Sequence, residues 1–336
     1  MKNKLLLTTT LSAVVLSGVA SAETKITGQL DVNFSTRSSN TAKTSNQGFG
    51  KEAQINFANS GDLDNGMSYK AGFSYEADGN TPSNDENLHI DFISGNTTFS
   101  VGQDHGLNTD SSAVPRVSIN AGSLSTMSVA YAQGSGIGNN GQQHVKEGMG
   151  VFLAQSFDGG TAQIRFTPEA LQDAGSNDAI TEGNEGSAMD INFQGNLGVD
   201  GLKVNAQYAK IDKAASSTHS PSRDSKGKAL GVGYNFGQFA VGVQTNKREL
   251  GNSTTEEYNT DEIGVTFAAS DNISLGLAYA ETEVKSTGKD EEVIQASIGY
   301  NLGAVAIHLN YAEYDNTLGS STADDEVGSI RFTTKF

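Results

Sequence analysis

The chain has 336 residues, 39 of them glycine and only 4 proline, with no cysteine or tryptophan and a formal net charge of −17. Lack of cysteine excludes a disulfide scaffold and a zinc–thiolate domain, the acidic excess argues against a nucleic-acid binder, and a mean hydropathy of −0.38 excludes a polytopic helical membrane protein. What composition leaves is β structure with many turns, either soluble or membrane-embedded.

Residues 1–22 read as a secretory signal peptide. Lys2 and Lys4 make a basic start, an apolar stretch runs from Leu5 to about Val19, and Ala20-Ser21-Ala22 is a small-x-small cleavage signal. The apolar stretch is too short, and too abruptly ended by that signal, for a membrane anchor. The mature chain is expected to begin at Glu23, exported from a bacterial cytoplasm, and 23–336 to form one domain.

From Glu23 onward the recurring pattern has period two. Ile26, Gly28, Leu30, Val32 and Phe34 alternate with Thr27, Gln29, Asp31 and Asn33. Similar runs follow at 68–75, 202–208, 273–279 and 305–311. Alternation gives each strand one apolar and one polar face, and a helix would instead need three- and four-residue spacing. Short connections at about 59–66, 94–96, 120–123, 158–160, 195–201, 237–238, 269–272 and 301–303 alternate with longer polar ones. The longer ones lie at about 38–50, 79–86, 104–114, 134–147, 168–187, 213–227, 250–259, 286–291 and 315–325. Antiparallel hairpins with short turns at one end and long loops at the other are the layout of an outer-membrane barrel, with periplasmic turns and extracellular loops. Nine long connections predict 18 strands. That count takes 115–119 (PRVSI) as a strand, and 16 follow if one hairpin is removed.

A soluble β-sandwich also alternates, but its inner faces are apolar. Here the polar faces carry Asp31, Lys70, Asp91, Arg165, Asp190 and Lys203 in mid-strand, and the pattern runs without a break over a length unusual for one soluble β domain. The fold expected is therefore all-β, a transmembrane antiparallel β-barrel of 16–18 strands, apolar toward lipid and charged toward water. Phe57, Tyr69, Phe92, Phe157, Tyr234, Phe236, Phe239, Tyr279 and Tyr300 lie near strand ends, where aromatic girdles form. The last strand alternates through Ile330, Phe332 and Thr334 to a terminal Phe336. Phe332 and Phe336 resemble the signal read by the outer-membrane insertion machinery. Partners expected on this reading are that machinery, periplasmic chaperones, and outer-membrane lipid and lipopolysaccharide.

Several segments resemble the general bacterial porin family of Gram-negative outer membranes, of the alphaproteobacterial and neisserial type. TKITGQLDVNF is similar to the family's opening strand, and SGDLDNGMSYKAGFSYE to a turn and strand built around Leu-Gly-Asn-Gly, here Leu63-Asp64-Asn65-Gly66 with one glycine replaced. LHIDFISGNTTFSVGQ resembles the hairpin before the family's constriction loop, and PRVSINAGSLSTMSVAYAQ the segment after it. The resemblance implies a trimeric, usually 16-stranded, water-filled barrel for passive diffusion of ions and small hydrophilic solutes. It also implies a third long loop folded inward, by order near 104–116, carrying Asp104 and Asp110 as its acids. Opposite it the family places a basic wall. Candidates here are Lys70, Arg116 and Arg165, with His89 at a position where members often carry arginine, and Asp31 and Asp91 as lining acids. A basic wall this thin in an acidic chain predicts cation preference.

Other acids read as loop decoration: Asp261, Glu262, Asp324, Asp325 and Glu326. Asp324-Asp325-Glu326 and Glu291-Glu292 offer carboxylates to a loosely held Ca2+, but without EF-hand spacing they read better as solvated acids, and no cofactor is expected. Gly136-Ile137-Gly138-Asn139-Asn140-Gly141 matches a dinucleotide fingerprint without the strand and helix it requires. The histidines at 89, 105, 144, 219 and 308 are dispersed with no metal-ligand spacing, no nucleophile motif occurs, and no enzyme is expected. Two other functions stay open. One is a substrate-specific channel, which would need an aromatic track in its lumen. The other is an exported non-channel β protein such as an adhesin or surface-layer component.

Overall fold

A computed structural model describes residues 22–39, 45–76, 85–103, 105–107, 112–115, 117, 149–168, 187–212, 224–249, 257–317, 320 and 323–336. They form β1 (Glu23–Ser39), β2 (Ser45–Asp62), β3 (Ser68–Glu76), β4 (Asp85–Ser94), β5 (Thr97–Gly102), β6 (Gly150–Phe157), β7 (Gly160–Thr167) and β8 (Ala188–Gly195). The second half holds β9 (Leu202–Ile211), β10 (Ser225–Phe236), β11 (Phe239–Glu249), β12 (Glu257–Ala268), β13 (Ile273–Val284), β14 (Lys289–Asn301), β15 (Val305–Asp315) and β16 (Asp325–Lys335). Each strand pairs antiparallel with its chain neighbours, and β1 closes on β16 with Leu30 opposite Thr334 and Asn33 opposite Arg331. Closure leaves no unpaired strand edge, which is what a sheet in lipid requires.

Alternation sorts the side chains inside out. On β9, Asn205, Gln207, Ala209 and Ile211 are buried. Leu230, Val243, Leu277 and Ile294 are more than half exposed, because they lie on the outer, lipid-facing surface. The short turns use glycine where the chain must turn with positive φ, as at Gly95 (φ 57°) between the paired Ser94 and Thr97 and at Gly237 (φ 63°) between Phe236 and Phe239. Around the short-turn rim the outward rings stack: Phe57 on Phe73 at 4.8 Å, Phe239 on Phe267 at 4.7 Å, Phe157 on Phe193 at 5.9 Å.

The barrel has 16 strands, which corrects the count of 18. β5 pairs directly with β6, Phe99 opposite Leu153, so no hairpin intervenes in the sheet. Pro115 and Val117, taken as strand residues, have no strand partner, and Val117 is buried inside the barrel. Its apolar side chain answers to an interior surface, not to lipid. Three acids assigned to solvated loops also move. Glu291, Glu262 and Asp325 are strand residues with buried side chains, on β14, β12 and β16. Residues 1–21, where the sequence predicts a signal peptide, lie outside the described ones.

Candidate functional site

The interior is organised by the connection between β5 and β6. It leaves the wall at Gly102, which lies between Gly150 on β6 and His89 on β4. A side chain at 102 would meet Leu88 O at 2.6 Å and His89 Cβ at 2.9 Å, so glycine lets the chain pass close over β4. Gln103 N donates to Leu88 O at 2.7 Å. His105 then lies flat on His89, ring centroids 3.6 Å apart and planes within 7°. Its Nε2 is 3.0 and 3.1 Å from the two carboxylate oxygens of Asp91, which also accepts from Ser100 Oγ at 2.6 Å.

Arg165 holds this first foothold from β7. Its Nη1 donates to His105 O at 2.8 Å and its Nη2 to Gly102 O at 3.1 Å. Leu107 N donates to Gln163 Oε1 at 2.8 Å on the same strand.

A second foothold follows a few residues on, against β9–β13. Lys203 Nζ donates to Ser112 O at 2.6 Å, and Ala113 N donates to Gln244 Oε1 at 3.1 Å. Ala113, Val114 and Val117 are buried there. The wall beneath them has almost no side chains. Register sets Gly233, Gly242 and Gly264 side by side on β10, β11 and β12, with Gly231 and Gly276 flanking. A Cβ added at Gly264 would fall 2.6 Å from Val114 Cγ1, and one at Gly276 2.6 Å from Val117 Cγ2. This shelf continues into an amide ladder. Gln207 donates to Asn205, Asn205 to Gln244, Gln244 to Asn246 and Asn246 to Glu262. Gly231 lies between Asn205 and Gln244 in the register, and its missing side chain lets the two meet across an intervening strand.

The positions singled out in the sequence fall as follows. Lys70 is on the inner face, exposed to the lumen and directly opposite Asp91. His89 and Asp91 line the first foothold, and Arg165 lies beneath it, only 1% exposed and across from Asp190. Asp31 is buried on the inner face in an ion pair with Arg331, and Gln29 Nε2 donates to it at 2.7 Å. Phe332 faces outward, and the Phe336 ring lies over Gly28 while its backbone pairs with that residue in both directions, at 2.7 and 3.0 Å. Asp104, Asp110 and Arg116 lie outside the described residues.

Sequence reasoning missed Arg331 and Arg248, the latter lying 4.8 Å over the Tyr258 ring. It also took the histidines as dispersed, whereas His89 and His105 are in contact. The signal was present: a hairpin turning at Gly95-Asn96 sets 89 opposite 102, which brings 105 within reach.

A closed barrel with a polar interior, an apolar belt, aromatic rims and a chain segment seated inside the lumen defines a channel-forming protein of the outer membrane. The sequence matches the Gram-negative porin description over residues 8–319, and the chain belongs to that family. It is accordingly an outer-membrane protein, of a family of channels and not of enzymes.

Among solved structures the fold is similar to an anion-selective porin from Comamonas acidovorans, at TM-score 0.69 and 14% identity, over 94% of this chain and 100% of that one. It is similar to Salmonella typhi OmpF, described in complex with daunomycin, at TM-score 0.71 and 13% identity, over 93% of this chain and 97% of that one. Vibrio cholerae OmpT in its trimer form gives TM-score 0.63 and 14% identity, over 93% of this chain and 99% of that one. At these identities the likeness is one of fold. No curated protein matches the sequence at a significant level.

Proposed function

We propose that the protein is a passive-diffusion pore for ions and small hydrophilic solutes, narrowed by the segment around 104–117 and preferring cations. The observation that carries the reading is the pair of footholds. The segment is tied to β7 through Leu107 and to β11, four strands further round, through Ala113, inside a barrel wide enough to hold water. A strand inserted in the sheet, or a loop lying over the mouth, would make neither bond.

Cation preference is supported by how the inner bases are used. Arg165 and Lys203 are bonded to backbone carbonyls of the segment, Arg331 to Asp31, and Arg37 to Asp325 at 2.5 Å. Beside these and Lys70 the inner face carries the acids Glu52, Glu76 and Glu262, and the whole chain has a formal net charge of −17, which favours an acidic lumen. Fixed charge of one sign along a narrow aqueous path attracts the opposite ion. The test is reversal potential in planar bilayers under a KCl gradient. A potential of the cation-selective sign is expected. Anion selectivity would refute the charge argument, and no conductance would refute the channel.

On the same reading the chain is exported with 1–22 removed, is inserted through its final strand, contacts lipopolysaccharide with its outer face, and assembles as a homotrimer. OmpT, of similar fold, is described as a trimer. Migration of unheated protein on gels, against a cross-linked ladder, tests the oligomer.

A further inference from the structure

We propose that His89, Asp91 and His105 form a binding site for one divalent ion of the zinc and copper class, at the root of the segment seated in the lumen. One donor atom from each residue lies within 4.8 Å of the other two. Two imidazoles and one carboxylate suit borderline ions such as Zn2+ and Cu2+, whereas Ca2+ and Mg2+ demand a shell of oxygens.

The donors are held as metal ligands usually are. His89 Nδ1 lies 2.7 Å from Asn87 O. A carbonyl only accepts, so Nδ1 carries the hydrogen and Nε2 presents its lone pair. A histidine ligand fixed through its other nitrogen is the common second layer of a metal centre. Asn87 gets its carbonyl there because it sits at φ 53°, where the β3–β4 register slips between Gly72 and Ser74. The His105 Nε2 and Asp91 oxygens are 3.0–3.1 Å apart, a hydrogen-bond contact that would open to about 3.3–3.6 Å, with the two stacked rings turned out of parallel, around an ion about 2.0–2.2 Å from each ligand.

The wall is also shaped for these rings. A Cβ at Gly72 would sit 2.9 Å from His89 Cε1, and one at Gly102 2.9 Å from His89 Cβ, so both strands flanking His89 carry glycine where the imidazole needs room. His105 keeps 25% of its side chain exposed, which gives an ion a path from the lumen and leaves a coordination position for water. Because His105 belongs to the inserted segment while His89 and Asp91 belong to the wall, a bound ion would cross-link the two.

Binding is read on untagged, chelator-stripped protein in detergent, independently of conduction, so a failed channel reading and a failed metal site are distinguishable. Calorimetric titration with Zn2+ should show one saturable site per chain at micromolar concentration. His89→Ala and His105→Ala should each weaken it by about tenfold or more, and His308→Ala should leave it unchanged. Wild-type protein loaded with one equivalent of Cu2+ should give an EPR spectrum split by two nitrogens, a measurement that needs no variant to fold. No saturable Zn2+ binding, undiminished binding in the His89→Ala, His105→Ala double variant, or a Cu2+ spectrum without nitrogen splitting would each overturn the site.

Discussion

The glycine shelf makes a sharp prediction at Gly242. Alanine there would place a Cβ against the Ala113 carbonyl oxygen, 2.9 Å from Pro115 Cδ and 3.1 Å from Ala113 C. Comfortable carbon contacts begin near 3.5 Å, so the segment must retreat by roughly 0.5–1 Å. The neighbouring strands are fixed by ladder bonds on both sides, so the movement falls on the segment. Retreat lengthens the 3.1 Å Ala113 N–Gln244 Oε1 bond past useful range and strains the 2.6 Å Lys203–Ser112 contact. A neutral hydrogen bond contributes about 1 kcal/mol and overpacking costs about 1–3 kcal/mol. Seating of the segment should therefore weaken by about 1–3 kcal/mol, roughly five- to 150-fold in the seated-to-unseated ratio. Single-channel recording should show added current fluctuation and a higher mean conductance. Gly48→Ala, where a Cβ meets nothing within 4 Å, should leave both unchanged. Wild-type conductance and noise in Gly242→Ala, with unchanged hydrogen exchange at the Ala113 amide, would refute the claim that bare wall seats the segment.

Arg165→Gln should cost roughly 3 kcal/mol or more, because a buried guanidinium is lost from beside Asp190 and from two carbonyls. The heat needed to convert the folded gel band to the unfolded one should fall, and an unchanged transition would contradict that role. Phe336→Ala separates stability from insertion. Its side chain is 75% exposed, so the finished barrel should lose no more than about 1 kcal/mol, while the folded fraction recovered from outer membranes drops. Equal recovery would remove Phe336 from the insertion signal. Beside the β8–β9 rim, hydrogen bonds from Lys210 and Ser187 hold the Asp212 carboxyl below its usual range. A depressed value means the contacts persist above the ordinary carboxylate range and are lost only as pH falls through the lowered one. Amide exchange at Asp212, whose N–H bonds Ser187 O, should speed up only in that acidic window, and insensitivity there would contradict the pairing.

Strands and their faces were legible because lipid outside and water inside impose a period of two that little else imposes for so long. The count failed at one place, where Val117 and Ile119 alternate with polar neighbours as a strand would. Alternation records apolar and polar neighbours but not which surface lies opposite, and Val117 faces the shelf at Gly276. The shelf was itself visible as glycines at 233, 242, 264 and 276 in phase with the polar face, a bare stretch of wall that called for something to cover it. The charges were harder. Glu262 and Asp325 look like loop acids beside acidic neighbours, and only the register shows them turned inward, bonded to Asn246 and Arg37. His89 and His105 meet through a hairpin and a turn of the chain away from the sheet, so their sixteen-residue separation matches no linear ligand spacing.

The seam between β1 and β16 also bears on how the molecule is made. Gly28 pairs with Phe336 in both directions and Gln29–Ser39 pair with Asp325–Lys335, so β1 waits for β16 before its outer edge is satisfied. Without β16 the sheet keeps an open edge, and an open edge in hydrocarbon is intolerable. Closure is thus a property of the whole sheet: until β16 is in place, β1 lacks one of its two neighbours.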